Sequence, residues 1–358
     1  MNYSFPKLIE ILAGGTGLAL ATIVEAEGST PQVTGASAVF SRAGLVAGTV
    51  GGGLLEARVE AVAGEALHNG KARLLTFRLD ADPADMEGAI CGGSARVLVD
   101  PGVGAARPVF EQALDGFRKR RPGVLATLIV PGQGDLVSVE RRFLPAGDAP
   151  VRSSGDRPSA ALGFAGVGPA VLDAVVKDGR ARLVDNRGRM TFLEPVRPLP
   201  RLIIAGAGHV GRAVARLGSL LDWSVTVIDD RPEFANADNV PEADEVVVGD
   251  IGESVRTVED SPDNYFVIVT RGHQKDTEAL RAAIGRPAAY VGMIGSKTKI
   301  EIVHRKFLES GWATAEAWAR VHAPIGVEIG SKTVEEIAVS IAAELVLVRS
   351  KRKESDRP

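Results

Sequence analysis

The stretch Leu202–Asp230, LIIAGAGHVGRAVARLGSLLDWSVTVIDD, carries a strand, a glycine turn, a helix and a second strand in that order. LIIA predicts a buried strand, and Val210 to Leu221 repeats its apolar residues at helical spacing. Between them Gly206, Gly208 and Gly211 form G-x-G-x-x-G, and Asp229 ends the second strand. Small residues there permit a tight turn and close approach of a pyrophosphate, whose charge meets the helix N-terminus. Asp229 is then placed to accept from a ribose hydroxyl, which predicts NAD over NADP because a second phosphate would face a carboxylate. His209 occupies a variable fingerprint position; it either touches the phosphate region or packs at the helix start.

Outward from this stretch the pattern repeats. SVTVID, EVVV, YFVIVT and AAYVGMIG read as strands and Lys275 to Ala283 as a helix between two of them, which makes a parallel sheet with helical crossovers. Asp250, after EVVV, lies near the adenine end of a nucleotide or is a turn carboxylate. TRGHQKDTEAL places His273 and Asp276 just after a strand, as a general base and its neighbour or as a loop histidine and a capping acid. VGMIGSKTK puts Lys297 at a helix start, where it contacts an anion or is simply solvated. His322 stands in a Pro/Gly-rich loop. The closing helix, Val334 to Val348, carries Ile337, Ile341 and Leu345 on one stripe, either packed on its own domain or lent to a homodimer interface.

Three prolines in EPVRPLPRL, Glu194 to Leu202, disfavour both helix and central-strand pairing and predict a linker. The expected organisation is a first region over 1–199, with a small central subdomain as one option, a Rossmann-like domain over 200–350 and a frayed tail over 351–358. The first region reads as a mixed α/β fold. LALATIVEA, ASAVFS, LVAGTV, RLLTFRLD, SARVLVD, VLATLIV and SVERRFL are strand-like, and Leu54 to Leu67 is an amphipathic helix. This half carries its own glycine turns. Gly28, Ser29, Thr30 and Pro31 follow a strand; Gly51, Gly52 and Gly53 open a helix; Cys91, Gly92 and Gly93 precede a strand. Such turns direct backbone N–H groups at an anion, or serve only as turns. Glu56 and Arg58 either complete a binding face or belong to an ordinary helix surface. If exposed beside these turns, Cys91 is a nucleophile or soft-metal ligand; if buried, it is a small hydrophobe.

Composition narrows the classes. Of 358 residues 45% are apolar and 24% charged, with a net charge of -3, which argues against disorder and against nucleic acid as a partner. A single cysteine excludes disulfide scaffolds and multi-cysteine metal sites within the chain and fits the reducing cytoplasm. No signal-like segment or membrane span is expected.

Taken in order, GSTPQVTGASAVF, GTVGGGLLEARV, CGGSARVLV, LIIAGAGHVGRAV, TRGHQKDTEAL, YVGMIGSKTK and HAPIGVEIGSKTVEEIAVSIAAEL resemble the XdhC/CoxI family of xanthine dehydrogenase and carbon monoxide dehydrogenase accessory proteins. That resemblance implies a maturation factor that binds molybdenum cofactor (molybdopterin) transiently, protects it during sulfuration and delivers it to a molybdenum hydroxylase apoenzyme. It implies a chaperone rather than an enzyme with its own turnover. The family's C-G-G pattern falls on Cys91, a candidate molybdenum contact, its G-G-G and G-S-T-P segments on Gly51 to Gly53 and Gly28 to Pro31, and its nucleotide fingerprint on Gly206, Gly208, Gly211 and Asp229. Val327, Glu328 and Ser331 stand where relatives often have leucine, aspartate and alanine. A cysteine desulfurase partner and a homodimer are further implications. The rival readings from the residues are an NAD-dependent oxidoreductase, resting on Asp229, His273 and Lys297, and a non-catalytic nucleotide-binding module.

Overall fold

A computed structural model describes residues 5–78, 92–146 and 167–355. The chain divides into two compact units, Met1–Pro198 and Leu199–Pro358. The first contains α1 (Phe5–Gly14), β1 (Ala19–Glu27), β2 (Ser37–Ser41), β3 (Gly44–Gly48), α2 (Gly53–Asn69), β4 (Ala72–Arg78) and β5 (Ser94–Asp100). It continues with α3 (Arg107–Arg118), β6 (Gly123–Pro131), β7 (Leu136–Pro145), α4 (Pro169–Asp178), β8 (Arg182–Asn186) and β9 (Arg189–Val196). Its described strands form one nine-stranded sheet in the order β3-β2-β1-β5-β4-β7-β6-β9-β8, with antiparallel neighbours throughout. The described residues of the central segment therefore extend the first sheet.

Side-chain alternation gives this sheet two buried faces. On one, Ala21, Phe40, Val97 and Val99 pack under α2, while Val124, Ala126 and Leu193 pack under α4. On the other, Leu20, Val39, Leu125 and Val196 meet α1 and α3, and Val24, Leu98, Ile129 and Phe192 pack together. The sheet curls about this second face, so that Gly35 comes to lie against Ala181 just before β8.

The prolines of EPVRPLPRL do not all lie in a linker. β9 includes Pro195, which sits opposite Val124 of β6. On its other side β8 pairs only as far as Leu193, so no described strand there needs the N–H that Pro195 lacks. The break falls after Val196.

The second unit contains β10 (Arg201–Ala205), α5 (His209–Leu220), β11 (Ser224–Asp229), β12 (Glu245–Val248), α6 (Ile251–Thr257), β13 (Asn264–Ile268) and α7 (His273–Ala283). It ends with β14 (Tyr290–Met293), α8 (Lys297–Glu309), α9 (Ala315–Trp318), β15 (Val321–His322) and α10 (Val334–Ser355). Its described strands are parallel in the order β12-β11-β10-β13-β14-β15. Leu202 and Ile204 face α5 and α10; Ile203 and Ala205 face α6, α7 and α8. The fold is thus α/β, an antiparallel-sheet unit followed by a Rossmann-like parallel one.

For α10 the first of two alternatives holds, and one reading changes. Ile341 and Leu345 are buried and Ile337 packs beside them in the unit's own core, so this stripe is already occupied. The helix also runs to Ser355, into the segment read as a tail. Arg349 covers the Trp223 ring and donates to the Leu221 carbonyl, and Arg352 donates to that of Pro262. Cationic side chains at a helix C-terminus also oppose its dipole favourably. Among the described residues, no helix is long and apolar enough to cross a membrane.

Candidate functional site

In the first unit the glycine turns that the sequence separates are packed together. A Cβ on Gly93 would stand 2.4 Å from the Ser29 carbonyl oxygen and 2.5 Å from that of Glu27. One on Gly28, whose φ is +71°, would meet the Gly93 Cα at 3.1 Å. Backbone lies directly on backbone here, which only glycine allows. Gly51 completes the group, its missing Cβ position lying 2.9 Å from the Pro31 side chain. Gly28, Ser29 and Gly92 are exposed and Gly93 is buried. Thr30 turns inward to donate to the Gln32 carbonyl at 2.7 Å. Cys91 lies outside the described residues; Gly92, to which it is bonded, lies within this group.

Gly52 and Gly53 begin α2 at positive φ; among the described residues no side chain caps the helix and nothing lies within 4 Å of where their Cβ atoms would be. The α2 N-terminus is held from behind. Glu56 accepts from the Thr49 hydroxyl at 2.5 Å and the Val50 amide at 3.2 Å, while the Gly51 amide donates to Thr49 at 3.0 Å. Glu56 therefore braces the turn rather than presenting a free binding group. Arg58 is exposed one turn along the helix.

Beside these turns is a cavity of about 460 Å³, lined in part by Gln32, Ser37, Thr49, Ala181 and Glu194. Glu194 is a site residue that the linker reading concealed. It shares the inward face of β9 with Phe192 and Val196 and is only 5% exposed. Burial pushes its carboxyl up to about 8, against the opposing attraction of Arg141. The Arg141 guanidinium is itself paired with the buried Asp100. The sequence held one signal for this: a glutamate in an otherwise apolar inward row, Met190, Phe192, Val196.

In the second unit the order of strands reverses between β10 and β13, where an open parallel sheet binds ligands. Gly206, at φ +116°, turns against the loop after β13, and a Cβ there would stand 2.5 Å from the Val269 carbonyl oxygen. Gly211 brings α5 onto the same turn, 1.8 Å from the Gly206 oxygen by the same measure. Among the described residues nothing lies within 4 Å of a Cβ position on Gly208 at the α5 N-terminus, and His209, the first helical residue, is exposed.

Asp229 is buried with both carboxylate oxygens engaged. The Ala207 amide donates at 2.7 Å, the Arg231 amide at 3.1 Å, and the Arg231 guanidinium at 2.8 and 2.9 Å. Burial alone would raise the carboxyl, but these bonds from Arg231 and Ala207 hold it below the ordinary carboxylate range. A ribose hydroxyl would compete with Arg231 for the acid. Asp229→Asn is expected to lower the stability of this unit by roughly 2–3 kcal/mol at neutral pH. The depressed pKa means that the charge stabilises above about pH 4 and that its contribution fades as pH falls through the folded value, so the two proteins should converge in acid. All three tryptophans, Trp223, Trp312 and Trp318, lie in this unit, so tryptophan fluorescence during urea unfolding reads it; an unchanged midpoint at pH 7 would refute the bracing role.

The remaining residues do not assemble around the crevice as one set. Asp250 caps α6 by accepting from the Glu253 amide at 3.0 Å and pairs with Lys275 at 3.1 Å. His273 and Lys297 are exposed first residues of α7 and α8. Asp276 is fully buried; it accepts from the Thr270 amide and hydroxyl and pairs with Lys299, fixing the loop after β13. His322 pairs with Glu344 at 2.9 Å, and Glu344 also accepts from Tyr290 and the Gly326 amide.

Known proteins share both units. A family model described as XdhC and CoxI family matches residues 11–78, and one described as XdhC Rossmann domain matches residues 202–345. The uncharacterized protein YqeB of Escherichia coli K12 is 26% identical over 93% of this chain, which spans only 43% of YqeB. A probable xanthine dehydrogenase subunit of Bacillus subtilis 168 is 25% identical, with 93% of each chain covered. The molybdenum cofactor insertion chaperone PaoD of Escherichia coli K12 is 22% identical, covering 97% of this chain and 88% of PaoD. The fold recurs in a crystal structure described as a xanthine dehydrogenase from Bacillus halodurans, with TM-score 0.76, 24% identity and 99% and 98% of the two chains covered. With a family motif set in each unit and a matching model on each, the chain belongs to the XdhC and CoxI family.

Proposed function

We propose that this protein is an accessory maturation factor. It binds molybdenum cofactor as cargo, shields it during sulfuration and delivers it to the apoenzyme of a xanthine dehydrogenase-like molybdenum hydroxylase. The observation that carries this reading is the packing of Gly28–Pro31, Gly51 and Gly92–Gly93 into one group beside an uncapped helix N-terminus. Backbone N–H groups at such a place suit the phosphate of the cofactor. Cys91, one bond from Gly92, offers a soft thiolate to molybdenum; a sulfur relay from a cysteine desulfurase through Cys91 is a secondary role. The likeness to PaoD supports the same reading. In it the protein works in the cytoplasm, as a homodimer, by holding and handing over rather than by turnover.

The second unit contributes a dinucleotide subsite. The open Gly208 at the α5 N-terminus fits a pyrophosphate, with Asp229 and Arg231 at the ribose end and Asp250 and Lys275 beyond. NAD bound there regulates or stabilises the complex.

The test compares wild type, Cys91→Ala and Cys91→Ser for bound molybdenum cofactor, activation of an added molybdenum hydroxylase apoenzyme, and thermal melting. Both variants should melt with wild type yet retain and transfer at least about tenfold less cofactor, since a hydroxyl is a poor substitute for a thiolate near molybdenum. Wild-type transfer by both variants would remove the thiol from the mechanism. Failure of the wild type to bind the cofactor would remove the reading itself. Calorimetric titration with NAD and NADP on the same samples tests the subsite, and NAD turnover without cofactor handling would favour an oxidoreductase instead.

A further inference from the structure

We propose that the cavity at Glu194 seats a flat, nitrogen-rich heterocycle, the 2-amino-4-oxopyrimidine end of a pterin, in an orientation set by the Glu194 carboxyl. This rests on the cofactor-handling reading and gives it a subsite. The cavity, about 460 Å³, lies within the range of small-molecule sites. Glu194 reaches it from the inward face of β9, 5% exposed, and its carboxyl makes no hydrogen bond to any described residue. The cation acting on it, Arg141, pairs with Asp100, whose other oxygen accepts from the Gly102 amide at 2.7 Å; the Arg141 Nε is buried with no partner among the described residues. Leaving a buried carboxyl unpartnered is costly, so a partner from outside the chain is the natural complement of this position.

The state of the acid selects that partner. Held protonated near neutral pH, it offers one donor and one acceptor side by side. A cyclic amide edge, or a ring nitrogen beside an amino group, matches both atoms at once; the pterin head has each of these edges. An anionic group would meet no cationic side chain among the described residues that line the cavity. Nor, among the described residues, do three carboxylate, histidine or cysteine side chains stand together to hold a metal. The surrounding hydroxyls are largely spoken for: Ser37 and Thr22 bond each other at 2.9 Å. Thr49 lines the cavity and accepts from the Gly51 amide, so the heterocycle's anionic tail would leave directly over the glycine turns. One molecule with a heterocyclic head and a phosphate tail thus accounts for both features.

The probe is pterin itself, 2-amino-4-oxopteridine without metal or phosphate, titrated into the full chain by its own fluorescence at pH 7. Glu194→Gln keeps a donor beside an acceptor and should bind within about threefold of wild type, whereas Glu194→Leu should lose at least about tenfold. Thr34→Phe, on the half-buried rim, fills the cavity without touching the carboxyl and should also lose binding; it serves if the leucine protein fails to fold. Equal pterin binding by wild type, Glu194→Leu and Thr34→Phe would overturn the proposal. So would wild type that retains molybdenum cofactor but not pterin, an outcome that leaves the maturation reading standing; loss of both ligands in wild type would end both.

Discussion

Glu194→Gln is expected to make the protein more stable than wild type in mild alkali and no more stable at pH 5. In the unfolded chain Glu194 ionises above its ordinary value of 4.5, whereas in the folded chain it keeps its proton until about pH 8. Between those values the native state binds the extra proton, so wild-type stability falls as pH rises and the loss levels off above pH 8. Each pH unit in that window costs up to about 1.4 kcal/mol, which puts the ceiling at roughly 4–5 kcal/mol, less whatever water in the cavity recovers. Glutamine has no proton to lose and escapes the penalty. Thermal melting of both proteins by calorimetry from pH 5 to 9 checks this; parallel curves would show that the carboxyl is not held protonated, and would weaken the match to a heterocyclic edge.

The second large effect is expected at the turn of the second unit. Gly206→Ala forces an L residue to φ +116° and sets its Cβ 2.5 Å from the Val269 carbonyl oxygen, a backbone atom that cannot swing aside. Strain and overpacking together should cost roughly 3–5 kcal/mol. For a unit of this size that lowers the melting temperature by roughly 10 °C. Tryptophan fluorescence isolates this unit, so the shift should appear there and leave the circular-dichroism transition of the antiparallel unit in place. A fluorescence midpoint within about 2 °C of wild type would contradict the close approach of the loops after β10 and β13. Dinucleotide binding should fail along with the turn, because the same close approach shapes the pyrophosphate seat.

Which parts of this molecule were legible in its letters follows from how local their causes are. The Rossmann-like unit could be read almost strand by strand, because LIIA, SVTVID and YFVIV are continuous apolar runs of strands buried on both faces and the glycines of AGAGHVG record a turn made by neighbouring residues. The helix at Gly53–Asn69 was equally readable from Leu55, Val59 and Val62. The family motifs, too, were visible as a set, since each is a short contiguous turn. Pro195 misled because a proline announces a missing N–H but not whether a neighbouring strand is there to need it; that depended on β8 ending its pairing at Leu193. Asp229 announced an acid at the end of a strand, while the hydrogen bonds that occupy it come from Arg231, two residues on, and Ala207, in the turn after the neighbouring strand. Glu194 lay furthest from reading. Its burial comes from a sheet whose strands curl around it, with Asp100, Arg141 and Glu194 brought to one face from three separate strands. The order of residues was enough for many of the strands and helices, the second unit's fold and the family, but not for α4, β8 and β9. Only the folded chain shows that distant glycine turns share one place and that a glutamate stands beside them with no hydrogen-bond partner among the described residues, because both depend on strand order and register, which are settled between segments rather than within them.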